Sequence, residues 1–312
     1  MTETDGNVVE LRDLTKYYGK IRGIEDLTLT IKKGRIFGFL GPNGAGKTTT
    51  IRCLLGIINK SRGNVRIFDQ EIANWDSNYL LKEKIGYLPG DFDLYRHFSV
   101  KEMLDYFAAL RKKPISLRAE LVTRFDLDET RRVHQLSKGN RQKVGLVQAL
   151  MHDPDLVILD EPTAGLDPLM QTRLYKVLTE FKSRGKTIFF SSHNLDEVQK
   201  ICDEVAIIKE GKLVSHDLIE QLSEKIPRKM IVSLGEIGRP EDLAKIPYVS
   251  TFKPASNSDG RKYELWFDKP NPDFSAIFRV LQDLNLPLGE VTIPAPSLED
   301  YFMQYYEEPK EG

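Results

Sequence analysis

The sequence predicts an α/β fold: a largely parallel sheet covered by helices, with an N-terminal antiparallel β subdomain, an inserted helical subdomain and a small C-terminal α+β domain. Three observations carry this. Short apolar runs bounded by turn residues alternate with helical patterns through the first two-thirds of the chain, at "RIFGFL", "KIGYLP", "LVILDE", "KTIFFSSH" and "DEVAIIKE". Such alternation marks buried parallel strands joined by helical crossovers. Residues 95–150 hold three helical patterns, "SVKEMLDYFAALR", "SLRAELVTRF" and "KGNRQKVGLVQALM", with no strand between them. Beyond residue 225 the signals become looser and run β-α-β-β-α-β, which points to a sandwich of ferredoxin-like type.

Taken in order, "VVELRDL" and "LTLTI" read as two strands joined by "TKYYGKIRGIED", the antiparallel edge. The last part reads as strands at "KMIVSLG", "YVSTFKPA", "RKYELWF" and "GEVTI", with helices near "PEDLAKI" and at "PDFSAIFRVLQDLN". The expected domains are 1–225 and 226–312, with the helical subdomain at about 95–150.

Composition narrows the function classes. With 45 basic and 46 acidic side chains among 312 residues, the net charge is -1, so no bulk field holds nucleic acid or an anionic bilayer. No apolar run reaches the roughly 18 residues of a membrane helix, and the first residues are polar, which predicts a cytoplasmic chain. Cys53 and Cys202 stand alone and fit neither a disulfide framework nor a four-ligand metal site.

"GFLGPNGAGKTTTIRCLLGI" sets Gly41, Asn43, Gly44, Ala45, Gly46, Lys47 and Thr48 between an apolar strand and an amphipathic helix, the context a phosphate loop requires. Backbone N–H groups of such a loop and the helix N-terminus face phosphate, and Lys47 neutralises charge. Thr48 offers a hydroxyl to Mg²⁺, and Thr49 belongs to the same nucleotide site. In "LVILDEP", Asp160 ends a buried strand where it can hold Mg²⁺, and Glu161 can orient or deprotonate the attacking water. His193 ends the strand of "IFFSSHN", within reach of a γ-phosphate and the water. These residues together predict nucleoside triphosphate hydrolysis with Mg²⁺, with the choice of ATP resting on the resemblance below.

A second phosphate-type motif lies far downstream. Ser137, Lys138, Gly139 and Asn140 open the helix "RQKVGLVQALM", with Ser137 as N-cap, so its N-terminus presents free N–H groups and a positive dipole end. A head-to-tail dimer uses both half-sites, each chain's "LSKGN" closing over the other's γ-phosphate.

With those motifs in that order, the chain resembles the nucleotide-binding subunit of an ABC transporter across residues 8–225: phosphate loop, "LSKGN" as the LSGGQ-type signature, "LVILDE", "AGLD" with Asp167, and His193. The resemblance implies a P-loop NTPase fold of the ABC ATPase type. It also implies that Tyr18 stacks on adenine, with Tyr17 as alternative, and that Asp167 communicates across the interface. The implied partners are a second ATPase subunit, an identical one being the simplest, and an integral-membrane permease, with no nucleic acid. The implied place is the inner face of the cell membrane, held there by the permease. "IGYLPGD" and "PSLEDYFMQYY" are similar to the branch with a separate permease, many members of which export drugs, antibiotics or lipid-like compounds. The alternative is a soluble clamp of the same ATPase type acting on ribosomes or nucleic acid.

Departures from the family pattern are informative. Gly90, followed by Asp91, stands where the family usually has a Mg²⁺-sensing glutamine. Either Asp91 substitutes through a bridging water or the site works with one fewer polar ligand. The second is favoured, because Thr48, Asp160 and phosphate supply oxygens and Mg²⁺ commonly keeps waters. Lys138 and Asn140 replace a glycine and a glutamine. The segment "DFDLYRHFSVKEMLDYFAALR" is expected to offer the permease groove; its aromatic residues Phe92, Tyr95, Phe98, Tyr106 and Phe107 read equally as core or as contacts, with Phe92 and Tyr95 the favoured contacts because they lie in the loop. Leu298, Phe302 and Tyr305 fall at helical spacing, an apolar stripe that packs on its own domain or forms a dimer contact.

Overall fold

The structure is a computed structural model that describes residues 6–73, 79–111, 115–221, 228–234, 240–255, 261–268, 272–283 and 288–294. It divides into two compact units, Met1–Ile219 and Glu220–Gly312.

The first unit opens with a long hairpin, β1 (Asn7–Tyr18) and β2 (Ile21–Lys32). Their inward-facing Val9, Leu11, Leu14, Ile24, Leu27 and Ile31 are fully buried. β4 (Arg62–Ile67) pairs antiparallel with β1, and the short β5 (Gln70–Glu71) completes a sheet of order β2-β1-β4-β5. The antiparallel edge is thus larger than the sequence shows. β4 was missed because "RGNVRI" buries only Val65 and Ile67, too few apolar positions to register as a strand.

The main sheet has the order β10-β9-β3-β8-β7-β6. Its members are β3 (Ile36–Leu40), β6 (Ile85–Leu88), β7 (Leu156–Asp160), β8 (Thr187–Ser192), β9 (Glu204–Lys209) and β10 (Lys212–Leu218). All neighbours are parallel except β9 and β10. Every residue of β3, β7 and β8 is buried, as expected of strands covered on both faces. The registers Leu40↔Ser192 and Asp160↔Ser191 bring the carboxyl ends of β3, β8 and β7 level, where ligands bind in open α/β sheets.

Helices α1 (Lys47–Leu54) and α2 (Tyr79–Lys82) precede the helical subdomain, which is built from α3 (Val100–Ala109), α4 (Arg118–Arg124) and α5 (Lys138–Leu150). Ser99 and Glu102 form a capping box on α3, fixing its start. Val144, Val147 and Met151 are buried as the helical spacing predicts, and Leu146, Ala149 and Leu150 are buried too, so α5 is enclosed on more than one face. α6 (Pro168–Ser183) and α7 (Leu195–Ile201) flank β8 in sequence.

The second unit comprises β11 (Lys229–Leu234), a 3₁₀ turn (Pro240–Lys245), β12 (Val249–Pro254), β13 (Lys262–Phe267), α8 (Phe274–Asp283) and β14 (Leu288–Thr292). Its antiparallel order, β12-β13-β11-β14, is the ferredoxin-like order. Met230, Val232, Leu265, Phe267, Ile277 and Leu281 form its core. The first of the two expected helices is a 3₁₀ turn. Leu298, Phe302 and Tyr305 lie outside the described residues.

Candidate functional site

After Leu40 the chain turns through the glycine-rich loop into α1. Gly46 has φ +108°, and a Cβ there would sit 2.8 Å from the Gly23 carbonyl oxygen, so only glycine fits. Ala45 N donates to Pro42 O at 3.1 Å, closing the loop, while Asn43 and Gly44 stay exposed at its crown. Lys47 is 6% exposed and folds back inside, donating to Gly41 O at 2.6 Å and Pro42 O at 3.2 Å. The loop is wrapped around its own ammonium group.

Asp160, at the end of β7, is fully buried. Thr48 Oγ1 donates to its Oδ2 at 2.7 Å and Ser191 Oγ to its Oδ1 at 2.5 Å. Two hydroxyls and no ammonium hydrogen-bond to this carboxylate among the described residues, so Thr48 with Asp160 presents a hard oxygen pair of the kind that suits Mg²⁺. Among the described residues no three His, Cys, Asp or Glu side chains cluster, so a metal here would draw its other ligands from phosphate and water. Tyr87, on neighbouring β6, has its hydroxyl pushed up to about 12 by burial, with the charge of Asp160 adding to it.

Glu161 adopts a left-handed conformation, φ 51°, which turns its side chain out of the strand. Its Oε1 lies 3.1 Å from Lys47 Nζ and its Oε2 2.7 Å from His193 Nδ1. Its N–H points to Ser191, 3.2 Å from both the carbonyl oxygen and Oγ. The loop lysine, the acid and the histidine just after β8 therefore form one chain of contacts.

Tyr18 ends β1, 46% exposed, with Lys16 Nζ 5.1 Å from its ring centre. A Cβ on Gly23 would lie 3.0 Å from the Tyr18 ring and 3.2 Å from the Thr49 methyl, so Tyr18 and Thr49 meet around one glycine. Tyr17 is occupied otherwise: its hydroxyl donates to Glu25 at 2.5 Å and, with Lys212, holds that carboxyl below the usual range.

Ser137 caps α5, its Oγ accepting from Asn140 N at 3.2 Å, and Lys138 is exposed beside it. A Cβ on Gly139 would be 2.4 Å from Gly165 O, so the start of α5 is pressed onto the "AGLD" turn of its own chain. Asp167 caps α6, accepting from Met170 N at 2.9 Å. Sequence reasoning missed Ser191, which holds both Asp160 and Glu161, and Gln142, whose Nε2 donates to Glu161 O and Pro162 O. The only signal for Ser191 was its place two residues before His193.

In the segment after Gly90, Tyr95 is 57% exposed and meets the rings of Phe98 and Tyr106 at 5.4 and 5.5 Å between centres. Phe92 differs from expectation: its ring fills the space a side chain at Gly145 would take, so it packs on α5.

The ABC transporter family model matches residues 24–164. An ABC transporter ATP-binding protein of Synechocystis sp. is 34% identical over 97% of this chain and 85% of its own. The chain belongs to the ABC transporter ATP-binding proteins. Among its ABC relatives, the bacitracin transport ATP-binding protein BcrA of Bacillus licheniformis is 31% identical over 95% of this chain and 96% of its own. A solved ATP-binding subunit of an ABC transporter superposes with TM-score 0.64 at 28% identity, covering 70% of this chain and 92% of that one. A dimeric bacterial ABC transporter cassette shares the fold, with TM-score 0.62 at 23% identity over 68% and 98% of the two chains. As an ABC ATPase, the chain is the ATP-hydrolysing subunit of a transporter, and no described helix is long and apolar enough to cross a membrane.

Proposed function

We propose that two copies of this chain close head-to-tail around two Mg-ATP and that closure and hydrolysis power export through a separate membrane permease. The observation that carries this reading is the arrangement at the ends of β3, β7 and β8. There Thr48 meets Asp160, and Glu161 stands between Lys47 and His193. Lys47 and the loop amides bind phosphate, and Thr48 with Asp160 holds Mg²⁺, which supplies charge neutralisation on the phosphates. Glu161 polarises the attacking water, and His193 keeps Glu161 and the γ-phosphate in line. Tyr18 stacks on adenine.

The second half-site is the start of α5. Ser137 and Gly139, with Lys138 and Asn140, face the partner's nucleotide, and Asp167 lies where the two copies meet. The dimeric cassette that shares this fold supports the arrangement. The exposed Tyr95 and Tyr106, packed around the half-buried Phe98, are the surface offered to the permease, a reading in which the subunit works at the cytoplasmic face of the membrane. The full-length likeness to BcrA supports export.

Light scattering on the purified Glu161→Gln chain, with and without Mg-ATP, tests the reading. Dimers only with Mg-ATP, together with loss of turnover, are the expected result. A monomer at saturating Mg-ATP, or undiminished turnover, would overturn it.

A further inference from the structure

Gln142 is a polar side chain in an unusual place. It is 4% exposed on α5, and its amide nitrogen donates to two backbone carbonyls, Glu161 O at 3.3 Å and Pro162 O at 3.0 Å. A primary amide has two N–H donors, so both carbonyls are served by one group. Those carbonyls belong to the turn in which Glu161 is held left-handed, a conformation that costs a non-glycine residue free energy and persists only where neighbours enforce it. On the N-terminal side the enforcement comes from Ser191 on β8. On the C-terminal side it comes from Gln142.

Gly139 and Gln142 are three positions apart on α5 and therefore share a face. Both meet the segment that follows β7: Gly139 against Gly165, Gln142 against Glu161 and Pro162. One face of the first turns of α5 is thus fastened to the backbone that carries the acid, while Ser137, at the tip of the same helix, is the N-cap.

We infer that Gln142 is a positioning residue that fixes the backbone of Glu161, so that the placement of α5 on a partner's nucleotide sets the aim of the carboxylate in its own site. This rests on the reading of Glu161 as the group that polarises water. It goes beyond that reading in assigning a role to a buried side chain whose hydrogen bonds run to two backbone carbonyls.

The chemistry gives a test that a purely packing role would not satisfy. Gln142→Leu removes both donors. Gln142→Glu keeps the size but has a proton to donate only in its acid form, because its carboxylate faces two carbonyl oxygens with nothing to give. Turnover per ATP-binding site is measured for both variants from about pH 6 to pH 9, a window chosen because a buried carboxyl near carbonyl dipoles titrates well above its ordinary range. Gln142→Leu is expected to lose about tenfold to a hundredfold in kcat while KM for Mg-ATP stays within about threefold, the scale set by misplacing a catalytic group. Gln142→Glu is expected to gain turnover relative to the parent as pH falls.

If Gln142→Leu does not fold, the pH profile of Gln142→Glu decides alone. A ratio to the parent that is flat with pH overturns the inference, as does parental kcat in both variants. Glu161→Gln is run beside them. If it is inactive while both Gln142 variants keep parental kcat, only this inference fails; if it is active, the reading of Glu161 fails and takes the inference with it.

Discussion

The Cα of Gly90 lies against the carboxylate of Asp160: a Cβ built there would be 3.2 Å from Oδ2 and 3.3 Å from Cγ. Asp160 is fully buried and held by Thr48 and Ser191, so it can yield only by lengthening its bond to Thr48 or to Ser191. Gly90→Ala and Gly90→Gln should therefore leave ATP affinity without Mg²⁺ within about threefold, because the loop contacts are untouched. Both should raise the Mg²⁺ concentration needed for half-maximal turnover several-fold. A titration of turnover against free Mg²⁺ that superposes on the parent would show that the carboxylate has room to spare.

Gly139 tests the second half-site. Alanine is the better helix former by about 1 kcal/mol, yet its methyl would meet Gly165 O, a backbone atom, at 2.4 Å. Overpacking of this kind costs about 1–3 kcal/mol, so the clash outweighs the propensity gain. Gly139→Ala is expected to lower the urea midpoint and, in the Glu161→Gln background, to abolish the ATP-dependent dimer. An unchanged midpoint with normal dimerisation would mean that the "AGLD" turn moves freely away from α5.

The elements legible in the sequence were those whose pattern is local. β3, β7 and β8 are continuous apolar runs, the phosphate loop is a contiguous motif, and Ser137 announces a helix start by its type alone. β4 and β10 were not legible, because each is half-exposed and takes its place from a pairing partner, β1 for one and β9 for the other. The same division holds in the site. Lys47, Asp160, Glu161 and His193 could be named from motifs, but Ser191 and Gln142 act through positions 30 and 19 residues away in the chain. Which side chain fills such a gap depends on how α5 meets the turn after β7 and how β8 pairs with β7, and single-sequence periodicity carries no such information.

Cysteine chemistry reports on how tightly α1 is packed behind the loop. Burial pushes the Cys53 thiol from its ordinary 9.0 up to about 11, and burial raises Cys202 as well. Only thiolate reacts, so at pH 8 Cys53 should alkylate about a hundredfold more slowly than an open thiol, before access slows it further. The raised value also means that this thiol stabilises the fold below about pH 9 and loses that contribution as pH rises towards 11, since the unfolded chain then sheds the proton first. Mass spectrometry after maleimide treatment should find both cysteines unmodified in the native chain and both modified in urea. Labelling of native Cys53 would show that α1 opens.

Tyr18 and Tyr17 are adjacent, and the structure gives them different tasks. Tyr17 spends its hydroxyl on Glu25, and Glu25 in turn accepts Arg22 at 3.5 Å and Lys212 at 3.1 Å, so its ring is part of a fixed ionic cluster. Tyr18 is nearly half exposed, lies beside Gly23 and Thr49, and its hydroxyl is not drawn into the Glu25 cluster. Stacking of aromatic rings is worth about 0.5–1.5 kcal/mol, so Tyr18→Ala should raise KM for ATP about two- to tenfold with little change in kcat. Tyr18→Trp keeps a π-face and should stay near the parent. Tyr17→Phe removes the hydroxyl but no stacking surface, and should lower stability more than it changes KM. The reverse outcome, with KM moved by Tyr17→Phe and not by Tyr18→Ala, would transfer the adenine contact to Tyr17.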